Sequence, residues 1–302
     1  MLALRSRRLR AIIPAMKRVA IIILAYNKAE YVRRCLMSLL VTSWRPLHVH
    51  LVDNGSTDDV PEVFARFARD AAGVGISTDI CTLPENKVAV VGRNIAFERV
   101  DADYVALLDS DVAVRTRTWI ERMIAALEAD PRRGIVGPKL IYPFPPYLIQ
   151  CAGCSVSPGG RVNFLGRGER RDDPRFNEAR EVQALISACW LMPAVLMREV
   201  GPMDERFSPV QYEDIDYCYR VREIGRTCLY LPEVEMYHFE NVTTGRSPDL
   251  NYKYLTVKNN MKFKEKWRHR FSVEGGPPDE EFRWKDLPSV RIEDIGELEV
   301  LP

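Results

Sequence analysis

The triplet Asp109-Ser110-Asp111 carries two carboxylates at i and i+2, directly after the apolar run Tyr104-Val105-Ala106-Leu107-Leu108. Past the end of a strand, both can reach one divalent ion. Mg²⁺ and Mn²⁺ take a few carboxylates, with phosphate oxygens and water completing the shell. An ion there that bridges a diphosphate neutralises charge building on a leaving group. The triplet alone also fits a capped surface turn; its place after a strand favours the metal. Asp53 follows another apolar run in the same way. Its carboxylate suits a base or a ribose hydroxyl, and equally the turn made by Asn54-Gly55-Ser56-Thr57-Asp58. Glu213, Asp214 and Asp216 put three carboxylates into four positions at the head of a helix. The helix dipole stabilises acids there, so capping and proton transfer are both open to them. His238 is one of four histidines and is either structural or an imidazole ligand. Arg93, on a helix face, is a solvated arginine unless a phosphate lies beside it.

The elements that must position these residues follow from periodicity. Val19 to Ala25 (VAIIILA) is a continuous β-branched run, as in a strand covered on both faces of a parallel sheet. Tyr31 to Leu40 predicts a helix with Val32, Cys35, Leu36, Leu39 and Leu40 on one side. His48 to Val52 predicts a strand, Val60 to Ala72 a helix, Gly75 to Leu83 a strand, Gly92 to Val100 a helix and Tyr104 to Leu108 a strand. That alternation is the pattern of a doubly wound parallel sheet, whose ligands bind at the carboxyl ends of the strands. Asp53 and Asp109 both fall there. Residues 142–180 are rich in Pro, Gly and Arg and predict long loops, with a lid over the site as one role. Order resumes over Val182 to Met192, and Arg220 to Leu231 reads as helix then strand. In Asn251 to Phe271, Phe263, Trp267 and Phe271 fall on one helical stripe among Lys258, Lys262, Lys264, Lys266, Arg268 and Arg270. A helix packed on the body is the reading taken; a membrane surface or a lipid-diphosphate acceptor suits the same pattern. Past Phe271 the chain is Pro-, Gly- and acid-rich and predicts a tail that wraps the body or hangs free.

Composition excludes several classes. The 302 residues are 46% hydrophobic and 28% charged, enough for one large domain or a domain with an extension. Net charge is +1, with no global excess that points to nucleic acid. Residues 1–18 hold six bases and no acid, which leaves 37 bases against 42 acids in the rest. This basic opening lacks the apolar core and cleavage site of a signal peptide. It reads as a disordered leader, with Met16 as an alternative start, rather than as a membrane-surface segment. No run approaches the roughly 20 apolar residues that cross a bilayer. Seven cysteines without a secretion signal predict reduced thiols and a cytoplasmic protein, soluble or peripheral at the inner face of the membrane. Cys151 and Cys154 form a lone CxxC with no second pair or nearby histidines at zinc-ligand spacing.

In this order the motifs resemble a family 2 glycosyltransferase of the GT-A fold. They are Ala25-Tyr26-Asn27, Val52-Asp53-Asn54-Gly55-Ser56-Thr57-Asp58, Gly92-Arg93-Asn94 and Leu107-Leu108-Asp109-Ser110-Asp111. Val200-Gly201-Pro202-Met203-Asp204-Glu205-Arg206-Phe207 and Tyr212-Glu213-Asp214-Ile215-Asp216-Tyr217-Cys218-Tyr219-Arg220 follow. The resemblance spans Val19 to Lys266. It implies an α/β fold whose mostly parallel central sheet is flanked by helices, with a C-terminal acceptor-side extension. It divides the chain into a leader over 1–18, a catalytic domain over 19–270 and a tail over 271–302, the domain having a nucleotide-binding half (19–115) and an acceptor-side half (116–270). The implied reaction is an inverting transfer of a hexosyl or deoxyhexosyl group from a nucleoside-diphosphate sugar to a hydroxyl of a glycan or lipid-linked acceptor. Polysaccharide, cell-surface glycan or glycolipid synthesis is the implied setting, and Mg²⁺ or Mn²⁺ the cofactor.

The resemblance also assigns roles. Ala25, Tyr26 and Asp53 line the nucleobase pocket, Asn27 belongs to the same donor-binding set, and Glu30 faces the nucleotide. Arg93 approaches the donor's phosphate or sugar side. Asp109 contacts the ribose or sugar and, with Ser110, completes the donor set. Asp111 is the main metal ligand, joined by Asp109 and by His238. Asp214 is the general base, and a sugar transfer needs one. Glu213 and Trp190 fall on the acceptor side, where an indole suits stacking on a sugar ring or burial in the core. Val90-Val91 stand where many relatives carry glycines, and this sets the donor contacts of that segment apart. A nucleotidyltransferase or a dinucleotide oxidoreductase needs a glycine-rich loop after the first strand, and Ala25 to Glu30 has no glycine. The non-enzymatic alternative is a degenerate sugar-nucleotide-binding or scaffold protein; intact Asp109, Asp111 and Asp214 weigh against it.

Overall fold

The computed structural model describes residues 16–240, 242, 251–282, 284–287 and 290–302; most of the expected basic leader lies outside these residues. The strands are β1 (Val19–Ala25), β2 (Leu47–Asp53), β3 (Ile76–Thr82), β4 (Tyr104–Leu108), β5 (Val112–Val114), β6 (Arg133–Ile141), β7 (Ile149–Cys151), β8 (Cys154–Val156), β9 (Val162–Phe164), β10 (Arg180–Val182), β11 (Cys189–Pro193) and β12 (Thr227–His238). The helices are α1 (Ala29–Leu39), α2 (Val60–Gly73), α3 (Ala89–Phe97), α4 (Trp119–Glu128), α5 (Ala194–Val200), α6 (Glu213–Glu223) and α7 (Tyr252–Phe271).

The central sheet runs β10-β12-β6-β11-β4-β1-β2-β3, with β5 added on β12 and β7 on β6. The first half follows the expected parallel pattern: β1 lies between β2 and β4, parallel to both, and β2 is parallel to β3. Six of the seven β1 residues are buried, as its unbroken apolar run requires. The second half is mixed, with β12 parallel to β6. β11 runs antiparallel between β4 and β6, and β10, β5 and β7 add further antiparallel pairs. Helices flank the sheet, and their apolar faces enter one core; α2 buries Val60, Phe64, Phe67 and Ala71 at helical spacing.

The region expected as long loops holds β7, β8 and β9, each three residues long. Ile149, Cys151, Ala152, Cys154 and Val156 there are buried, so strand pairing rather than periodicity orders it. The reading of α7 as a packed helix agrees with its buried face: Leu255, Asn259, Phe263, Trp267 and Phe271. The last residues lie on the body. Leu301 bridges to Thr116, and the Arg34 guanidinium donates to the carbonyls of Ile292, Ile295 and Gly296.

Two close approaches position the site. A Cβ on Gly92 would lie 2.8 Å from Leu24 Cδ1, so a glycine there lets α3 settle onto β1 and carries Arg93 to the sheet edge. Gly55 has φ +75°, and a Cβ there would meet the Glu85 backbone at 2.6 Å; the turn after β2 therefore packs on the loop before α3.

Candidate active site

A cavity of about 340 Å³ opens at the carboxyl ends of β1 and β4. Of the residues expected at the site, Tyr26, Arg93, Asp109, Ser110, Asp111, Glu213, Asp214 and His238 line it. Topology explains their convergence. Asp109 to Asp111 form the turn between β4 and β5, and β5 pairs antiparallel with the end of β12, so that Val112 faces His238. The Phe239 amide donates to the Asp111 carbonyl at 3.0 Å. His238 Nε2 then lies 3.6 Å from Asp111 Oδ1. Ligand atoms of Asp109, Asp111 and His238 all sit within 4.8 Å of one another.

On the far wall, Tyr212 in the left-handed region (φ 70°) turns the chain into α6. The three carboxylates that follow separate. Glu213 accepts from Arg93 Nη1 at 3.0 Å. Asp214 accepts from the Ile215 amide at 2.8 Å and from the Ser187 amide at 3.2 Å. Ser187 belongs to the segment before β11 that also supplies the Ala188 carbonyl to the Asp109 amide, at 2.9 Å. One segment thus fixes both acids. Asp216 turns away, fully buried, to Lys266 Nζ and Trp267 Nε1, each at 2.7 Å, and ties α6 to α7.

Arg93 is 8% exposed and bridges the walls, giving Nη2 to Asp109 Oδ1 at 2.5 Å and Nη1 to Glu213. Four acids surround this one arginine and His238. Burial raises the Asp109 carboxyl above its usual range, with Arg93 opposing. Burial likewise raises Asp214, with the Ile215 and Ser187 amides opposing. Glu213 reaches about 7, through burial and then the Asp214 charge. For His238 burial disfavours the charge, but Asp111, with Asp109 and Glu240, together outweighs burial and lifts it to about 9. Raised carboxyls beside an imidazole whose charge its acidic neighbours favour mark a cluster short of positive charge. A divalent cation fits that deficit with ligands of suitable type. His238 Nδ1 faces Gln150 Oε1 at 3.3 Å, which leaves Nε2 turned toward Asp111.

Several expected residues stand elsewhere. Trp190 is 0% exposed and its ring stacks on Tyr217 at 5.9 Å. It is a core residue, which overturns sugar stacking, because β11 lies inside the sheet with Trp190 paired to Leu107. Ala25, Asn27 and Asp53 lie behind the cavity and latch its loops. The Ala25 carbonyl accepts from the Asn54 amide, Asn27 Oδ1 from the Thr57 amide at 2.8 Å, and Asp53 Oδ1 from the Ser56 amide at 2.8 Å. Glu30 pairs with Arg33 and Arg34 on α1. Sequence reasoning missed Asn54, Asn86 and Val88 on the Tyr26 side of the cavity. It also missed Glu240, which Arg167 holds through 2.7 and 3.0 Å bonds, Tyr142 at 2.6 Å and Gln150 at 3.0 Å. Cys151 and Cys154 are free thiols 3.9 Å apart.

An α/β sheet flanked by helices, with an acidic cleft at its strand ends, is an architecture of the GT-A kind. The model of glycosyl transferase family 2 matches residues 20–185, and the chain belongs to that family. It is 29% identical over 72% of its length to the pre-mycofactocin glycosyltransferase of Mycobacterium tuberculosis, of which it spans 42%. It is 28% identical over 76% of its length to the N-acetylglucosaminyl-diphospho-decaprenol L-rhamnosyltransferase of the same organism, spanning 78% of it. In fold it is similar to the mannosyltransferase PcManGT of Pyrobaculum calidifontis, solved with GDP-Man and Mn²⁺: TM-score 0.58, 16% identity, 87% of this chain and 67% of that one. Among the described residues no helix is long and apolar enough to cross a membrane.

Proposed function

We propose that this glycosyltransferase moves a hexosyl or deoxyhexosyl group, with inversion, from a nucleoside-diphosphate donor to a hydroxyl of a glycan or lipid-linked acceptor, in polysaccharide, cell-surface glycan or glycolipid synthesis. The supporting observation is one cavity that holds the Asp109, Asp111 and His238 cluster together with Asp214, which comes from a different element. Asp111, Asp109 and His238 would hold a Mg²⁺ or Mn²⁺ ion, which would supply positive charge against the diphosphate leaving group. The PcManGT complex with GDP-Man and Mn²⁺ points the same way. The mycobacterial rhamnosyltransferase, named for a diphospho-decaprenol acceptor, supports a deoxyhexose and a lipid-linked acceptor.

Tyr26, with Asn54 and Asn86 beside it, flanks the nucleoside, while Ala25, Asn27 and Asp53 hold the loops that carry it. Ser110 and Asp109 meet the ribose or sugar. Arg93 is a positioning residue that keeps Asp109 and Glu213 at fixed separation. Asp214 takes the proton of the acceptor hydroxyl as that oxygen attacks the anomeric carbon. The new carbon–oxygen bond forms as the bond to the diphosphate breaks on the opposite face, and its electron pair leaves with the diphosphate. Burial makes Asp214 more basic than a surface carboxylate, as a base needs.

Asp214→Asn retains shape but lacks basicity. It lowers kcat by ~10²–10⁴ and leaves donor affinity and Tm close to wild type. Wild-type turnover in that variant rules out the base. NMR of the product's anomeric proton reads the stereochemistry, and retained configuration rules out a single displacement.

A further inference from the structure

A second cluster of metal-ligand type lies apart from the cavity, on β2 and the edge strand β3. His48 and His50 share one face of β2, and His50 stands opposite Asp79 in the parallel register. His48 Nε2 lies 2.8 Å from Asp79 Oδ1. His50 Nδ1 abuts the same oxygen, is closed off from solvent and has no well-formed hydrogen bond. The donor atoms of all three residues fall within 4.8 Å of one another.

The surrounding bonds fix which atoms converge. Ser77 Oγ lies 2.7 Å from His48 Nδ1 and 3.3 Å from the Leu47 carbonyl, and so holds the His48 ring in place. That contact leaves Nε2 as the ring nitrogen turned toward the Asp79 carboxylate. Arg99 Nη2 holds the other oxygen, Asp79 Oδ2, at 3.0 Å. Two imidazole nitrogens and one carboxylate oxygen therefore converge on one point, where the buried His50 Nδ1 has no hydrogen-bond partner. Ligating histidines and carboxylates are commonly oriented by such outer partners, as Ser77 and Arg99 orient these.

We infer that His48, His50 and Asp79 form a second metal site, for a divalent transition cation of the zinc class, separate from the cavity cluster. Two imidazoles and one carboxylate are a common zinc donor set, with water as fourth ligand. The ion staples the edge strand β3 to β2. Beyond β3 lies the loop that packs under Gly55 and supplies Asn86 to the cavity.

The test is Co²⁺ titration of the full chain carrying Asp111→Ala, which weakens the cavity cluster. One equivalent binds with the visible absorption of a tetrahedral site, and it is lost in the added variants His48→Gln and Asp79→Asn. Failure to take up Co²⁺ in Asp111→Ala overturns the site, as does uptake that His48→Gln leaves unchanged. Should these variants unfold, imidazole ¹⁵N shifts of the wild-type chain decide. Zn²⁺ moves the His48 Nε2 and His50 Nδ1 resonances if the site is real. A doubly protonated His48 ring that Zn²⁺ does not alter shows that a proton, not a metal, completes the cluster.

Discussion

Imidazole and carboxylate meet in two places in this molecule, and the two are built differently. At the cavity, Asp109 and Asp111 come from one turn and His238 from a strand more than a hundred residues later, and Asp214 faces the same space from α6. Acids outnumber bases there, and burial raises the carboxyls of Asp109, Glu213 and Asp214 above their usual range. At the sheet edge, His48, His50 and Asp79 sit on adjacent strands, with Arg99 set against the one carboxylate. The second cluster sets one carboxylate against Arg99 and two imidazoles; the first sets several carboxylates against one arginine and one imidazole and opens to a cavity. An excess of acids in a cleft marks a place where a substrate and its counter-charge complete the electrostatics, whereas the edge cluster offers a site between two strands.

The comparison can be strained by experiment. The largest stability effect is expected from Arg93→Met, which leaves Glu213 buried without its guanidinium. A loss of about 3–5 kcal/mol in urea unfolding is the expected size for breaking a buried pair from one side. A change below about 1 kcal/mol shows that the cavity is not short of positive charge. Trp267→Phe removes the bond to the buried Asp216 but spares the bond from Lys266, and should cost about 1.5–3 kcal/mol by the same method.

A third experiment follows pH. The Glu213 carboxyl titrates near 7 in the folded chain and at an ordinary 4.5 when unfolded. Between those values the folded state holds the proton that the unfolded state has lost, so stability falls as pH rises through that window and levels off above it. Glu213→Gln should flatten the Tm–pH curve between about 4.5 and 7 relative to wild type; an unchanged slope assigns the titration elsewhere. The smallest effect is expected from Glu30→Gln on the α1 surface, within about 1 kcal/mol of stability, as for exposed ion pairs. A large rise in donor KM in that variant shows that Glu30 does meet the nucleotide.

The first half of the sheet was legible because parallel strands buried on both faces leave unbroken runs, and their turns leave Asp, Asn, Gly and Ser behind them. β1 and β4 match the expected spans residue for residue. The second half was harder to read. β7, β8 and β9 are too short to show a period, and β12 runs on past Pro232 through irregular pairing to His238, beyond the Leu231 expected as its end. Asp109, Asp111, Asp214 and His238 were all named, yet their meeting depends on β5 pairing with β12, which no local pattern announces. Gln150, Arg167 and Glu240 form a network of single residues without spacing. His48-Val49-His50 is visible in the sequence, but Asp79 joins it only through the β2–β3 register. Trp190 misled because a tryptophan near an acceptor motif fits a core and a sugar platform equally well.

The most direct test of the cavity as a metal-dependent donor site is calorimetry of a nucleoside diphosphate against the full chain, with Mn²⁺ and then with EDTA. Binding should require Mn²⁺ in the wild type, persist in His48→Gln and vanish in Asp111→Ala. Unchanged, EDTA-insensitive binding in Asp111→Ala would contradict the assignment.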